Sequence, residues 1–144
     1  MIPLLIRSQP DRRTFLLYES GKQEVIEKSS LAYLEEECIR HGSSVKGRMD
    51  SFCQLVNAVQ KPAVMISERS MITYFPTRSP KSPDCEWVCF NRILRVRRIN
   101  GYETEILFLD GTECRVSAEV RVIKGQMSRC DDYLEILMSY LKQE

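Results

Sequence analysis

Histidine is almost missing from this sequence: His41 is the single one in 144 residues. Histidine is the side chain that most readily changes charge near neutral pH, so general acid–base chemistry has little to work with. Cys38 and His41 could form a thiol–imidazole pair, but both sit at the end of a predicted helix with no third group to orient the ring. Long apolar runs are missing too. Met1-Ile2-Pro3-Leu4-Leu5-Ile6 stops at Arg7, too short for a signal peptide and without its cationic lead. No run approaches the ~20 residues of a membrane span. There is no Walker loop, no Gly-x-Ser-x-Gly elbow and no dinucleotide fingerprint. These absences point away from an enzyme and away from membranes, to a cytoplasmic protein without cofactor or catalytic residues.

Cysteine is present but not in a framework. The six lie at positions 38, 53, 85, 89, 114 and 130. Without a secretory signal they are expected as reduced, half-buried thiols. Cys85-x3-Cys89 is not the Cys-x2-Cys spacing of a zinc knuckle, and no second ligand pair stands out, so no metal is expected. On a strand the two thiols would share a face.

Apolar content of 43% and charge of 28% suit one globular domain over residues 1–144. Net charge is +1, but it is unevenly spread. Arg69 to Arg98 holds seven cations (Arg69, Arg78, Lys81, Arg92, Arg95, Arg97, Arg98) and two anions (Asp84, Glu86), a net of +5. Asp131 to Glu144 is net −3. This asymmetry hints at a surface that faces a polyanion.

Hydrophobic period and turn residues predict an α+β fold: an antiparallel β-sheet with two central helices and a C-terminal amphipathic helix. "TFLLYESGKQEVIEK" reads as two strands around Ser20-Gly21-Lys22. "SSLAYLEEECIRHG" reads as a helix capped by Ser29 or Ser30 and stopped by Gly42. "SSVKGRMDSFCQLV" is a second helix with Val45, Met49, Phe52, Cys53 and Val56 on one face. "AVMISE" and "SMITYF" are strands around Glu68-Arg69. "EWVCF" and "ILRVRRI" follow, with a bend at Asn91-Arg92. Asp110-Gly111 predicts a two-residue type I′ hairpin turn, which would put Leu107, Leu109, Cys114 and Val116 on one face and Ile106, Phe108, Glu113 and Arg115 on the other. Ile123, Met127, Cys130, Leu134, Leu137 and Leu141 form a heptad-like stripe on the last helix, with Ser117 as its cap and Gly125 as a kink or its start. The stripe suits packing on the sheet, with Leu134, Leu137 and Leu141 available for dimerisation.

Two stretches carry candidate chemistry. In "HGSSVKGR", Gly42, Ser43 and Ser44 precede a helix whose first turn holds Lys46 and Arg48. Exposed N–H groups, hydroxyls and cations together make a phosphate seat, though serine capping alone accounts for the serines. In "FPTRSPKSPDCEWVCF", Pro76, Pro80 and Pro83 stiffen a loop carrying Arg78 and Lys81. A stiff loop loses less entropy on binding. Arginine on a narrow loop suits the A·T-rich minor groove, where the potential is most negative. Cys85 and Trp87 would anchor the strand behind it.

These blocks resemble the ComK competence transcription factors. The correspondence runs through Gly42, Ser43, Ser44, Gly47 and Arg48; through Lys61 and Pro62; and through Phe75, Pro76, Thr77, Ser79, Cys85 and Trp87. Order and spacing hold over about residues 40 to 110, and "RVIKGQMSRC" looks like shorter ComK-like proteins. The resemblance implies a DNA-binding transcription activator, acting as a homo-oligomer on A·T-rich double-stranded DNA upstream of DNA-uptake genes. With it, phosphate positioning is assigned to Ser43, Ser44, Lys46 and Arg48, and groove contact to Arg78, Lys81 and some of Arg92, Arg95, Arg97 and Arg98. The competing expectation is a protein-interaction domain of the same fold, with its basic strand neutralised by Glu103, Glu105 and Glu113.

Overall fold

The computed structural model describes residues 1–58 and 60–143. It is the expected α+β chain, with its antiparallel strands divided between two sheets. A six-stranded sheet contains β1 (Leu5–Ser8), β2 (Thr14–Leu17), β3 (Gln23–Ile26), β4 (Val64–Met65), β5 (Thr73–Pro76) and β6 (Glu86–Cys89), in the order β3-β2-β1-β6-β5-β4. A three-stranded sheet contains β7 (Ile93–Arg98), β8 (Thr104–Phe108) and β9 (Glu113–Val116) in sequence order. The helices are α1 (Ser30–Arg40), α2 (Val45–Leu55) and α3 (Val120–Lys142).

Apart from the exposed edge strand β3, the large sheet is covered on both faces, and several of its strands are near-continuous apolar runs rather than alternating. Ile6, Leu16, Val64, Tyr74, Trp87 and Cys89 point into one core, packed against Leu34 and Cys38 of α1 and Val45 of α2. Their chain neighbours Leu5, Leu17, Met65, Phe75 and Val88 point into the other. That second core is closed by Ile106, Phe108 and Val116 of the small sheet and by Ile123, Cys130 and Tyr133 of α3. The layers are therefore helices, large sheet, then small sheet with α3.

Local chemistry sets the helix ends. Ser29 caps α1, its hydroxyl accepting from the Ala32 N–H at 3.2 Å. Gly42 follows at φ 76, a left-handed conformation glycine adopts without a Cβ penalty. Ser44 caps α2 through the Gly47 N–H at 3.0 Å. β1 was not evident as a strand, because Leu4-Leu5-Ile6 has no alternation to read. It pairs with β2 on one side and with β6, some eighty residues on, on the other.

Three expectations need correction. The β8–β9 connection is not a two-residue turn. The Phe108 N–H donates to the Thr112 carbonyl, leaving a three-residue loop, Leu109-Asp110-Gly111, with Gly111 at φ 95. Asp110 is not at positive φ, as a type I′ turn would require. One extra loop residue shifts the register by one and exchanges the faces. Thr104, Ile106 and Phe108 are buried with Val116, while Leu109 is exposed. Ser117 does not cap α3; Glu119 occupies the N-cap position without a side-chain cap bond. Gly125 neither starts nor breaks α3, which runs through it continuously. The stripe packs on the sheet: Ile123 and Cys130 are buried and Met127, Leu134 and Leu137 pack on the core, so of the three leucines expected to be available for dimerisation only Leu141 is exposed.

Candidate nucleic-acid interface

The loop from Thr77 to Cys85 joins β5 to β6 and stands at one end of the large sheet. Its base is tied down from below. Thr77 and Glu86 exchange bonds, and Gln126 of α3 donates Nε2 to the carbonyls of Pro76 (2.8 Å) and Lys61 (3.0 Å). Pro76 itself is buried in β5, opposite Trp87, so Pro80 and Pro83 are the prolines that stiffen the exposed part. Ser82 donates to Asp84, and the Cys85 thiol donates to the Arg78 carbonyl. The Ser82 hydroxyl, with Arg78 behind it, holds the Asp84 carboxyl below its ordinary value. Arg78 donates Nη2 to the Ser117 carbonyl at 3.2 Å and stands 3.5 Å from Asp84.

The loop forms a ridge between two clefts, and Ser82 lines both. The first, of about 440 Å³, lies between the loop, the β1–β2 connection and the start of α1. It brings Lys81 beside Arg12 and Arg13. The connection is conformationally costly: Asp11 and Arg12 are consecutive left-handed residues, at φ 63 and φ 61. That costs on the order of 1 kcal/mol each for residues with a Cβ, and it is offset in part by the Gln9 N–H bond to the Arg13 carbonyl. The second cleft, of about 530 Å³, lies between the loop, the β7–β8 turn and the start of α3. It holds Arg78 with Lys61, Arg121 and Tyr102. Together the clefts present six cations against two carboxylates, Asp11 and Glu119. Arg12, Arg13, Lys61 and Lys81 make no ion pair among the described residues.

The other sequence-predicted residues are placed elsewhere, with one exception. Arg98 pairs with Thr104, which pairs with Val116, and the next residue, Ser117, is the one Arg78 bonds. Arg98 therefore lies at the loop end. Arg95 and Arg97 alternate onto the outer face of the small sheet. There the cross-strand rows are Arg97–Glu105–Arg115 and Arg95–Leu107–Glu113. Arg97 is paired with Glu105 at 2.7 Å, and Glu103 is engaged by Asn100. Of Glu103, Glu105 and Glu113, only Glu105 forms an ion pair with the basic strand. Arg92 follows β6 at the far end from the loop, in a small cleft with Glu19 and Asp110.

The Ser43–Arg48 segment is also at the far end, against the β4–β5 turn. Ser43 donates to the Cys38 carbonyl at 3.2 Å, and the Ser44 hydroxyl is occupied as the α2 cap. Lys46 pairs with Asp50 at 2.9 Å, and Arg48 with Glu68 at 3.3 Å. His41 is exposed there, but Cys38 is fully buried and burial raises its thiol pKa. The two are not a surface pair.

All six cysteines are free thiols. Burial pushes Cys85 up to about 11 and Cys89 and Cys114 up to about 12. A thiol reagent at pH 8 is expected to label the half-buried Cys53 in native protein and all six cysteines in denaturant, because the thiolate is the reactive form. Fast native labelling of Cys85 or Cys89 would contradict the packing described. Among the described residues no cluster of three or more metal-ligating side chains is found, and no helix is long and apolar enough to cross a membrane.

The family model described as ComK protein matches residues 4–142. The chain belongs to the ComK family. It is similar to a curated protein named competence transcription factor, from Bacillus subtilis (strain 168), at 24% identity over 114 residues, covering 74% of this chain. The match spans 59% of that relative's length. No solved structure matches the chain.

Proposed function

We propose that this chain is a DNA-binding regulator of transcription in competence, acting in the cytoplasm on A·T-rich double-stranded DNA. The observation that carries the reading is the stiff loop raised between two cation-lined clefts. A duplex groove is bounded by two phosphate rows, and a ridge flanked by positive troughs has the complementary charge order. Arg78 and Lys81 enter the groove, and Arg12, Arg13, Lys61, Arg121 and Arg98 sit toward the backbones. The minor groove of A·T tracts is narrow and strongly negative, which favours arginine there. Family membership and the name of the Bacillus relative support the regulatory role. Residues 1–144 act as one domain, and copies of it associate through the exposed Met138, Tyr140 and Leu141 of α3. Ser43, Ser44, Lys46 and Arg48 stay structural at the far end, leaving Arg92, Arg95 and Arg97 outside the primary contact.

Fluorescence anisotropy on A·T-rich and G·C-rich duplexes over a salt series tests this. The expected result is tighter A·T binding with a log–log slope of about −0.9 per neutralised phosphate. Folded protein that binds neither duplex at low salt would overturn the reading in favour of a protein-interaction domain.

A further inference from the structure

Tyr102 is 70% exposed, more than Tyr140 at 49%, and the described residues leave most of it uncovered. It is not on a loose segment. The β7–β8 turn is closed by the Ile99 N–H on the Glu103 carbonyl at 3.1 Å. The Asn100 side chain spans it, accepting from the Tyr102 N–H at 3.0 Å and donating to Glu103 at 2.8 Å. A rigid turn thus holds a large apolar ring out in water, where ring burial would be favourable. The ring lines the cleft that holds Arg78, Lys61 and Arg121. Cations that attract a polyanion and an uncovered aromatic plane share one trough. That combination takes nucleotides: the charges track phosphates and the ring accepts the face of a base.

We infer that Tyr102 is a base-stacking residue, wedging against a base step at the flank of the bound DNA. The assignment rests on DNA binding by the same face and names a specificity element within it. Stacking needs a step that opens. Pyrimidine–purine steps such as TA unstack most easily, so the contact would favour A·T-rich sites that contain them over uniform A-tracts. The phenol hydroxyl is not required, since any aromatic plane would serve. The contact is not ionic, so it contributes affinity without contributing salt dependence.

The test is anisotropy with a TA-containing A·T-rich duplex, using wild type, Tyr102→Phe and Tyr102→Ala over a salt series. Tyr102→Phe is expected to bind within about twofold of wild type. Tyr102→Ala is expected to lose about tenfold or more, the usual consequence of removing one stacked ring, with an unchanged salt slope. A Tyr102→Trp variant adds a direct readout, because the native Trp87 is fully buried and its emission serves as a constant background. DNA should quench the new indole. Wild-type affinity retained by Tyr102→Ala, or Phe behaving as badly as Ala, would overturn stacking while leaving DNA binding intact. Absence of duplex binding by wild type itself would overturn both.

Discussion

Glu86→Ala is expected to lose about 3–5 kcal/mol of stability, a fall in melting temperature of about 10–20 °C for a chain this size. Glu86 is 4% exposed and lies where the two sheets meet. One carboxylate oxygen accepts from Arg7 Nε at 2.6 Å, and the other from the Ser117 N–H at 2.9 Å. Arg7 also donates to the Arg115 carbonyl at 2.6 Å and lies over the Phe15 ring. The carboxylate therefore joins β1 and β6 of the large sheet to the end of β9. Its removal leaves a partly buried guanidinium without its counter-charge and a backbone N–H without its acceptor. Uncompensated groups of this kind cost more than the intact pair contributes. Arg7→Met combined with Glu86→Leu should recover much of the loss, because an apolar pair leaves no charge behind. Urea denaturation of wild type and the two variants is the measurement. A single Glu86→Ala variant within about 1 kcal/mol of wild type would show that the sheets are held by apolar contact alone.

The largest effect on binding is expected from replacing Arg12, Arg13, Arg78 and Lys81 together by alanine. At on the order of 1 kcal/mol for each charge-assisted bond to a phosphate or base, the affinity for an A·T-rich duplex should fall roughly a thousandfold. The salt slope should flatten by about two units, near 0.9 for each of the phosphates that Arg12 and Arg13 no longer neutralise. A control carrying Lys46→Ala, Arg95→Ala and Arg97→Ala removes three charges from other faces. Beyond a Debye length of about 8–10 Å such charges are screened, so that control should bind within a few-fold of wild type. Equal reductions in the two variants would move the interface off the loop.

The two variants also separate what the sequence made legible from what it did not. α1 and α2 were readable because their ends are written locally, in Ser29, Gly42 and Ser44. The loop was readable because prolines and cations alternate within one short stretch. The β8–β9 hairpin was readable as a hairpin but not in register, since Asp-Gly serves both two- and three-residue loops. Arg12, Arg13, Arg121 and Tyr102 were not recognised as parts of the site. They reach the loop only through the pairing of β1 with β6 and the packing of α3 beneath β5. The one local signal was Pro10-Asp11-Arg12-Arg13, a turn sequence with adjacent cations. Conversely, Ser43, Ser44 and Arg48 carried a binding pattern in sequence, and the fold occupies those groups with caps and an ion pair.

The pairing of β1 with β6 has a consequence for how the protein is made. Arg7 leaves a ribosome well before its partners Glu86 and Arg115, which lie 79 and 108 positions later. At about 5–20 residues per second, β1 waits on the order of 4–16 s with one edge unpaired. Any β1–β2–β3 meander that forms in that interval has an open β1 edge carrying Leu5 and Ile6, a surface on which other chains can pair. The first cleft does not exist until β6 arrives and sets Lys81 beside Arg12 and Arg13. An unfinished chain therefore carries an open strand edge but no cation-lined cleft, and the cleft forms in the same late step that buries the edge.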